Sequence, residues 1–460
     1  MHKWLPLVAT CSGTFMLLVY STIVTVALPG VADDLHASFS SLQWIIDVYT
    51  LALAGLLLGM GSLGDNLGRK RLYLTGLTVF AVATLVCGLA PDVTTLIAAR
   101  AVQGLAGAAM FSTLLPLIGL TYTGRDRGVA FAVWGAVAGA AAGIGNVAGG
   151  ILTQFLSWQW IFHVGVPVCL ATLALSAAVL TDDARTPTRI DYLGIVTFTP
   201  AALGITFGII NGGEQGWTSG PAVLGFAVGA VMLALFLLAE RTGSNPMIAP
   251  ALFRKREFNG TLVAAMGYYL AGFGALPVIS LWLQDGAGLS ALSTALVITV
   301  QPVAFFATSA VAGSMLHRLP AHRTLGGGAL AVGAGNVLML AIGAGSSWTA
   351  LIPGLVVTGV AAGIVSPVLP SAAMSAAPAS QSGVASAAAN CARQLGLALG
   401  IAVLGSVFHR FSTTSGGTGL HAAYAHGLTA VFAVAAAIGL GSGILALRLL
   451  TPPRPATQPA

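Results

Sequence analysis

The segment GSLGDNLGRKR at residues 61–71 has a weaker copy, GSMLHRLPAHR, at 313–323, offset by 252 residues. Two further matches keep the same order and nearly the same spacing. GVA at 128–130 returns at 383–385, offset 255, and LLP at 114–116 is echoed by VLP at 368–370, offset 254. Each match sits at an equivalent end of an apolar run, so the chain reads as two related halves. Apolar runs of about 20 residues, long enough to cross a ~30 Å hydrocarbon core as helices, recur along the whole sequence. Fourteen are counted, near 7–31, 43–62, 72–91, 95–120, 129–155, 159–180, 192–211, 221–239, 259–283, 291–316, 325–345, 348–373, 384–408 and 426–449. Six spans with their loops take about 190 residues. The surplus in the repeat offset fits two extra spans at 192–239 and their tether, 240–258. The expected architecture is all-α and polytopic, fourteen transmembrane helices arranged as six, plus two, plus six. Its expected divisions are a bundle at 1–180, a linker with two added helices at 181–258, a second bundle at 259–449 and a short tail at 450–460.

Composition agrees with this reading. Hydrophobic residues make up 56% of the chain and charged residues 7%, with mean hydropathy +0.90, against about 25% charged in soluble domains. Basic residues fix the orientation, since cytoplasmic loops are enriched in Lys and Arg. With the N-terminus inside, sixteen of the nineteen Lys and Arg residues fall in cytoplasmic segments, among them Lys3, Arg69, Lys70, Arg71, Arg125 and Arg127. Asp33, Asp34, Asp92, Glu214 and Asp285 fall in outer turns. Both termini are therefore expected in the cytoplasm, in a multi-pass protein of the cytoplasmic (plasma) membrane. The pI near 9.4 reports topology and gives no hint of nucleic acid. A cleaved signal peptide is a poor alternative for the first run, because removing it would invert every later loop against the charge bias. Cys11, Cys87, Cys169 and Cys391 fall one per span and read as small packing residues without a disulfide.

Paired halves about an axis along the membrane normal characterise one large class of secondary transporters. The stretch at 61–71 resembles the signature loop between the second and third helices of the major facilitator superfamily. RAVQGLAGAA at 100–109 resembles its fourth-helix motif, and GIGNVAGGIL at 143–152 the antiporter motif of its fifth helix. WQWIFHVGVP at 158–167, GGEQGW at 212–217, LFRKREF at 252–258 and GVASAAANCARQLGLALG at 383–400 add to the likeness. Together they are similar to the fourteen-helix drug:proton antiporter family of multidrug and antibiotic efflux proteins. That resemblance implies a cytoplasmic latch, built from Gly61, Asp65, Gly68, Arg69, Lys70 and Arg71, that holds the outward-open state. An ordinary positive-inside loop is the plainer alternative. Asp65 suits a neighbouring helix N-terminus, and Arg69 an acid such as Asp126.

Arg100, Gln103, Gly104 and Gly107 share one helical stripe. An arginine within hydrocarbon costs about 2.5–3.5 kcal/mol on insertion scales, so it faces the bundle interior or snorkels to the nearby surface. The resemblance links this arginine to proton coupling. In the fifth span, Gly143, Gly149 and Gly150 suit close helix packing, while Asn146 stands where the family pattern has Pro. Ser386, Asn390, Arg393 and Gln394 lie on one side of the thirteenth span, and Arg393 is too deep to snorkel easily, so it is expected to bond between helices. His163 is read either as a proton-exchanging residue or as a structural hydrogen-bonding one.

The first span departs from the family pattern. VYSTIVTVALPG at 19–30 carries Tyr20 where relatives usually have Asp and Thr25 where they have Asn, and Gly165 replaces another usual Asn. These departures isolate Asp47, the one acid clearly inside a span. Burial and a neighbouring Arg100 would pull its proton affinity in opposite senses, which suits a group that loads and releases a proton. The alternative is an interfacial aspartate solvated from outside.

The expected function is export of small amphipathic drugs or antibiotics in exchange for protons, by rocking of two halves about a central cavity. Candidate proton-coupling residues are Asp47, Arg100 and His163. Candidate cavity residues are Tyr20, Gln103, Trp134, Asn146, Gln154 and Arg393. The rival is a proton-coupled importer or uncoupled facilitator of a small metabolite on the same fold. No Gly-Lys dipeptide occurs, so a phosphate-binding loop is absent, and the proton gradient stands in place of any cofactor or metal. Convergent acid or histidine pairs that an enzyme would need are not visible. A monomer in the lipid bilayer is expected.

Overall fold

The computed structural model describes residues 2–181, 191–243, 246–316, 319–343, 345–378, 381–413 and 420–451. Arg185, Arg189, positions 317–318 of the second repeat loop and most of the tail at 450–460 lie outside the described residues. Every element among the described residues is helical. In a bilayer this is forced, because lipid offers no hydrogen bonds and a helix satisfies its backbone internally.

The first half begins with α1 (Leu5–Thr22) and α2 (Val24–Leu35), one span bent at Ile23, whose N–H still donates to Val19 O at 2.8 Å. It continues with α3 (Phe39–Leu67), α4 (Arg69–Gly88), α5 (Val93–Thr121) and α6 (Gly124–Phe155). The last span of this half is divided into α7 (Trp160–His163) and α8 (Gly165–Val179). Caps start several of these helices. Ser38 Oγ accepts from Ser41 N at 3.3 Å before α3, and Asp92 Oδ1 from Thr95 N at 2.8 Å before α5. The bonds from Thr95 hold the exposed Asp92 carboxyl below its ordinary pKa. Gly68, at φ +99°, makes the turn from α3 to α4, a conformation that glycine adopts without steric penalty.

An inserted hairpin follows, α9 (Tyr192–Gln215) and α10 (Gly220–Thr242). The second half comprises α11 (Arg256–Phe273), α12 (Leu276–Leu281), α13 (Ala291–Leu316), α14 (Gly327–Met339), α15 (Ile352–Ser375), α16 (Ser382–Thr413) and α17 (Leu420–Leu450). Thirteen helices among the described residues are long and apolar enough to cross a membrane. The remaining expected run, 325–345, is a wide helical turn at His322–Gly326 leading into the shorter α14.

The halves meet along two long seams, α3 against α16 and α6 against α13, and along a shorter one where α12 and the turn after it meet α2. Helix α9 packs on both α3 and α16, and α10 packs on α9. Val223, Leu224, Val231 and Leu238 of α10 are each more than half exposed, as a lipid-facing helix requires. The seams close at the end carrying the acidic turns. There Gln43 Nε2 donates to Ile401 O and Ala402 O at 3.0 and 3.3 Å, and Gln284 Nε2 to Val26 O at 3.0 Å. Leu292 N donates to Gln154 Oε1 at 3.0 Å, and Phe39 stacks on His409 at 5.2 Å. At the opposite, basic end the first turns of α6 are largely exposed.

Glycine lets α6 serve both neighbours. Gly145 and Gly149 lie against α1 and the Ile23 bend, while Gly143 and Gly150 lie against α13. A Cβ on Gly149 would come within 2.6 Å of Ile23 O, and one on Gly150 within 3.0 Å of Ala291 O. Gly135 on the same helix has nothing within 4 Å of such a Cβ. We therefore expect Gly149→Ala to cost about 1–3 kcal/mol through overpacking. Gly135→Ala is expected to be neutral or to stabilise by about 0.5–1 kcal/mol through helix propensity. Thermal unfolding in detergent, followed by size-exclusion chromatography, distinguishes the two outcomes.

Candidate functional site

Arg100 is fully buried and does not snorkel. Its Nε donates to Ile45 O at 2.9 Å, and one terminal nitrogen donates to Tyr20 O at 3.2 Å and Gln103 Oε1 at 2.6 Å. Gln103 Nε2 passes the chain on to Thr84 Oγ1 at 2.8 Å, and the guanidinium carbon lies 4.2 Å from the Tyr49 ring centroid. The network ties α1, α3, α4 and α5 together inside the first half. Gly104 permits it, since its Cα lies directly against the Tyr49 backbone of α3.

Asp47 lies on a different face of α3. Successive residues turn by about 100°, so Gln43, Asp47 and Ala54 fall within ~40° of one another. Gln43 and Ala54 both touch α16, the latter by accepting from Cys391 Sγ at 3.3 Å. Ile45 and Tyr49, which serve Arg100, point to the far side of the helix. Arg100 is therefore not the neighbour of Asp47 that the sequence suggested. Nor is Asp47 interfacial: α3 starts at Phe39, which puts it ~12 Å along the helix, and its exposure is 0%. Neither carboxyl oxygen makes a hydrogen bond among the described residues. An ionised carboxylate held this way is expensive unless a partner is supplied, whereas the neutral acid carries no such charge. A buried acid on the seam between two halves is the arrangement that changes solvent access when the halves move.

The other candidate residues scatter. Tyr20 and Gln103 belong to the core of the first half rather than to a cavity between halves. Tyr20 Oη donates to Ile161 O at 3.0 Å, where α7 gives way to α8, and its ring stacks on Phe162. A Cβ on Gly165 would collide with that hydroxyl. Two of the departures from the family pattern are thus one steric unit, Tyr20 filling the space that Gly165 leaves. Trp134 Nε1 donates to Thr14 Oγ1 at 2.8 Å, joining α6 to α1. Gln154 closes the acidic end. Asn146 is buried, on the stripe of α6 that carries Gly139, Gly143 and Gly150 toward α13. Beside it, an apolar groove of about 510 Å³ is lined by Gly143, Val147, Thr299, Pro302 and Phe306. Arg393 points toward α11, its guanidinium 5.1 Å from the Tyr269 ring, with Nε unbonded. His163 packs edge-on against Trp160 and next to Gly88.

In the 61–71 loop, Arg69 binds Asp65 at 2.8 Å, and Asp126 is taken by Lys3 at 2.6 Å. Lys70 Nζ donates to Ala177 O at 3.1 Å, Arg71 is exposed in the first turn of α4, and Gly61 has open space around it. Sequence reasoning missed Gln43 and Gln284, the polar residues that span the seams. Gln43 stands one helical turn before Asp47, a spacing that could have exposed the shared face.

The family profile described as Major Facilitator Superfamily matches residues 10–253 and 261–460. The chain belongs to that superfamily. Among its relatives, the puromycin resistance protein pur8 of Streptomyces alboniger is 32% identical over 369 residues, covering 79% of this chain and 73% of that protein. The tetracenomycin C resistance and export protein of Streptomyces glaucescens is 34% identical over 292 residues, 63% of this chain and 54% of the relative. The methylenomycin A resistance protein of Streptomyces coelicolor is 30% identical, covering 77% and 75%. A solved peptide transporter, POT in complex with sulfate, superposes with a TM-score of 0.72 over 97% of this chain and 95% of that one. At 16% identity it bears on the fold alone. A major facilitator protein is a transporter and not an enzyme.

Two stability outcomes follow from the site. Arg100→Ala should cost at least ~3 kcal/mol, because charged hydrogen bonds contribute about 1.5–3 kcal/mol each. Gly165→Ala should cost about 1–3 kcal/mol, and Tyr20→Phe should recover part of that loss. A double-mutant cycle on thermal unfolding reads the coupling.

Proposed function

We propose that this major facilitator protein exports small amphipathic drugs or antibiotics across the cytoplasmic membrane in exchange for protons. The observation that carries the reading is Asp47, a fully buried carboxyl without a hydrogen-bond partner among the described residues, on the seam between the halves. The resistance and export roles in the names of its relatives support the class of cargo. The basic loops support a cytoplasmic position for that end and for both termini. On this reading the described state is open inward and sealed outward by Gln43, Gln154 and Gln284. The cycle takes up cargo from the inside, opens the α3–α16 seam outward, exchanges cargo for a proton at Asp47 and closes again. A proton gradient is sufficient drive, since one charge crossing 100 mV supplies about 2.3 kcal/mol. The protein works as a monomer in the bilayer without a cofactor.

One observation favours a rival. The first-helix acid of relatives is Tyr20 here, packed into the core, which would suit an importer or uncoupled facilitator. Everted vesicles separate the two. Vesicles carrying the protein should accumulate puromycin, tetracenomycin C or methylenomycin A when an inward-acid ΔpH is imposed, and drug addition should release protons. Asp47→Asn should lower that ΔpH-driven flux at least tenfold. Transport indifferent to ΔpH in the wild type would select the facilitator instead.

A further inference from the structure

The inserted helix α9 meets both halves. Its basic-end part lies on α3, where Gly59 faces Ile195 and Gly55 faces Thr199. Its acidic-end part lies on α16, where Ser406 Oγ donates to Ile209 O at 3.1 Å and Gly213 abuts Ser406. Trp44 and Phe207, 6.1 Å between ring centroids, continue the antiparallel register against α3. That register sets Asp47 level with Thr206. At about 100° per residue, Thr206 points between the α3-facing and α16-facing sides of α9, and Asp47 points between the α16-facing and α9-facing sides of α3. Both therefore address one three-helix junction. Thr206 is fully buried, and its Oγ1, like both Asp47 oxygens, makes no hydrogen bond among the described residues.

The junction holds no competing charge among the described residues. Opposite Asp47, α16 presents Ala398 and Ala402, both fully buried. Cys391 lies about two turns further along α16 and donates to Ala54 O. Arg100 is on the far face of α3, and Arg393 turns away toward Tyr269. A serine or threonine hydroxyl without a partner in a dry interior is costly, and here it sits level with an acid in the same condition.

We propose that Thr206 of the inserted hairpin is a positioning residue for the Asp47 proton site, its hydroxyl donating to the Asp47 carboxylate once the proton has left. The inference rests on Asp47 as the coupling acid. It gives the hairpin a role in proton coupling: α9 closes the junction to lipid and brings one donor to an acid that α16 meets with alanines.

The test uses purified full-length protein and pH-induced infrared difference spectra, which need no transported compound. The carboxyl band that vanishes in Asp47→Asn reports the protonation of Asp47. Because the hydroxyl stabilises only the ionised form, Thr206→Val should move the midpoint of that band upward by about one pH unit, and Thr206→Ser should restore it. Thr206→Ala, which needs no repacking, carries the same test where the valine variant does not fold. An unmoved midpoint in both deletions, or a serine variant that behaves like valine, overturns the role of Thr206. The absence of any band that Asp47→Asn removes overturns the reading of Asp47 itself, a separate outcome.

Discussion

A hydrocarbon interior offers no water, so each polar side chain placed there must find its partner within the protein. Arg100 meets that condition with two main-chain carbonyls, Gln103 and an aromatic face. In the second half, Gln301 donates to Gly272 O and Thr358 Oγ1, and Asn336 to Ala271 O. These bonds hold helices of one half to each other, and they let each half move as a unit. Asp47, whose two carboxyl oxygens both lack a hydrogen bond among the described residues, differs from these because the surface it faces belongs partly to the other half. Its lack of a partner and its place on the seam are two views of the same geometry.

Much of the fold was legible before any coordinates. Run length marked the apolar spans, and the α6 glycines announced close helix packing. Helical periodicity also grouped Arg100 with Gln103, which do bond to each other. Periodicity says which residues share a face, but not which helix packs there. That is why Tyr20 and Gln103 read as cavity residues and proved to be core. It is also why Asp47 and Arg100 seemed paired while pointing to opposite sides of α3. The join between Tyr20 and Gly165 was invisible for a related reason. Each was visible as a departure from pattern, but their complementarity depends on α1 meeting the break between α7 and α8.

The hairpin was expected from arithmetic alone, as residues left over between two bundles. Its packing gives it a mechanical character that arithmetic could not. Helix α9 follows α3 from Ile195 to Phe207 and is also fastened to α16 near the acidic end, so any rocking of the halves must slide or tilt it. Glycines at Gly55, Gly59 and Gly213 let Thr199, Ile195 and Ser406 seat directly against the neighbouring backbone. Helix α10, bound to α9 and otherwise facing outward, can follow without disturbing either bundle.

The glutamines that close the acidic end all bind main-chain atoms of the facing helix: Ile401 O, Ala402 O, Val26 O and Leu292 N. A latch of this kind is specified largely from one side. Apart from Gly405, where a Cβ would collide with the Gln43 amide, the side chains on the receiving helices are free to drift, because every residue offers the same carbonyl and almost every residue the same N–H. Cargo-facing surfaces on those helices can then be rewritten over generations while the closure survives. A scaffold with such one-sided fastenings is well suited to yielding many exporters of different chemistry from a single way of shutting the door.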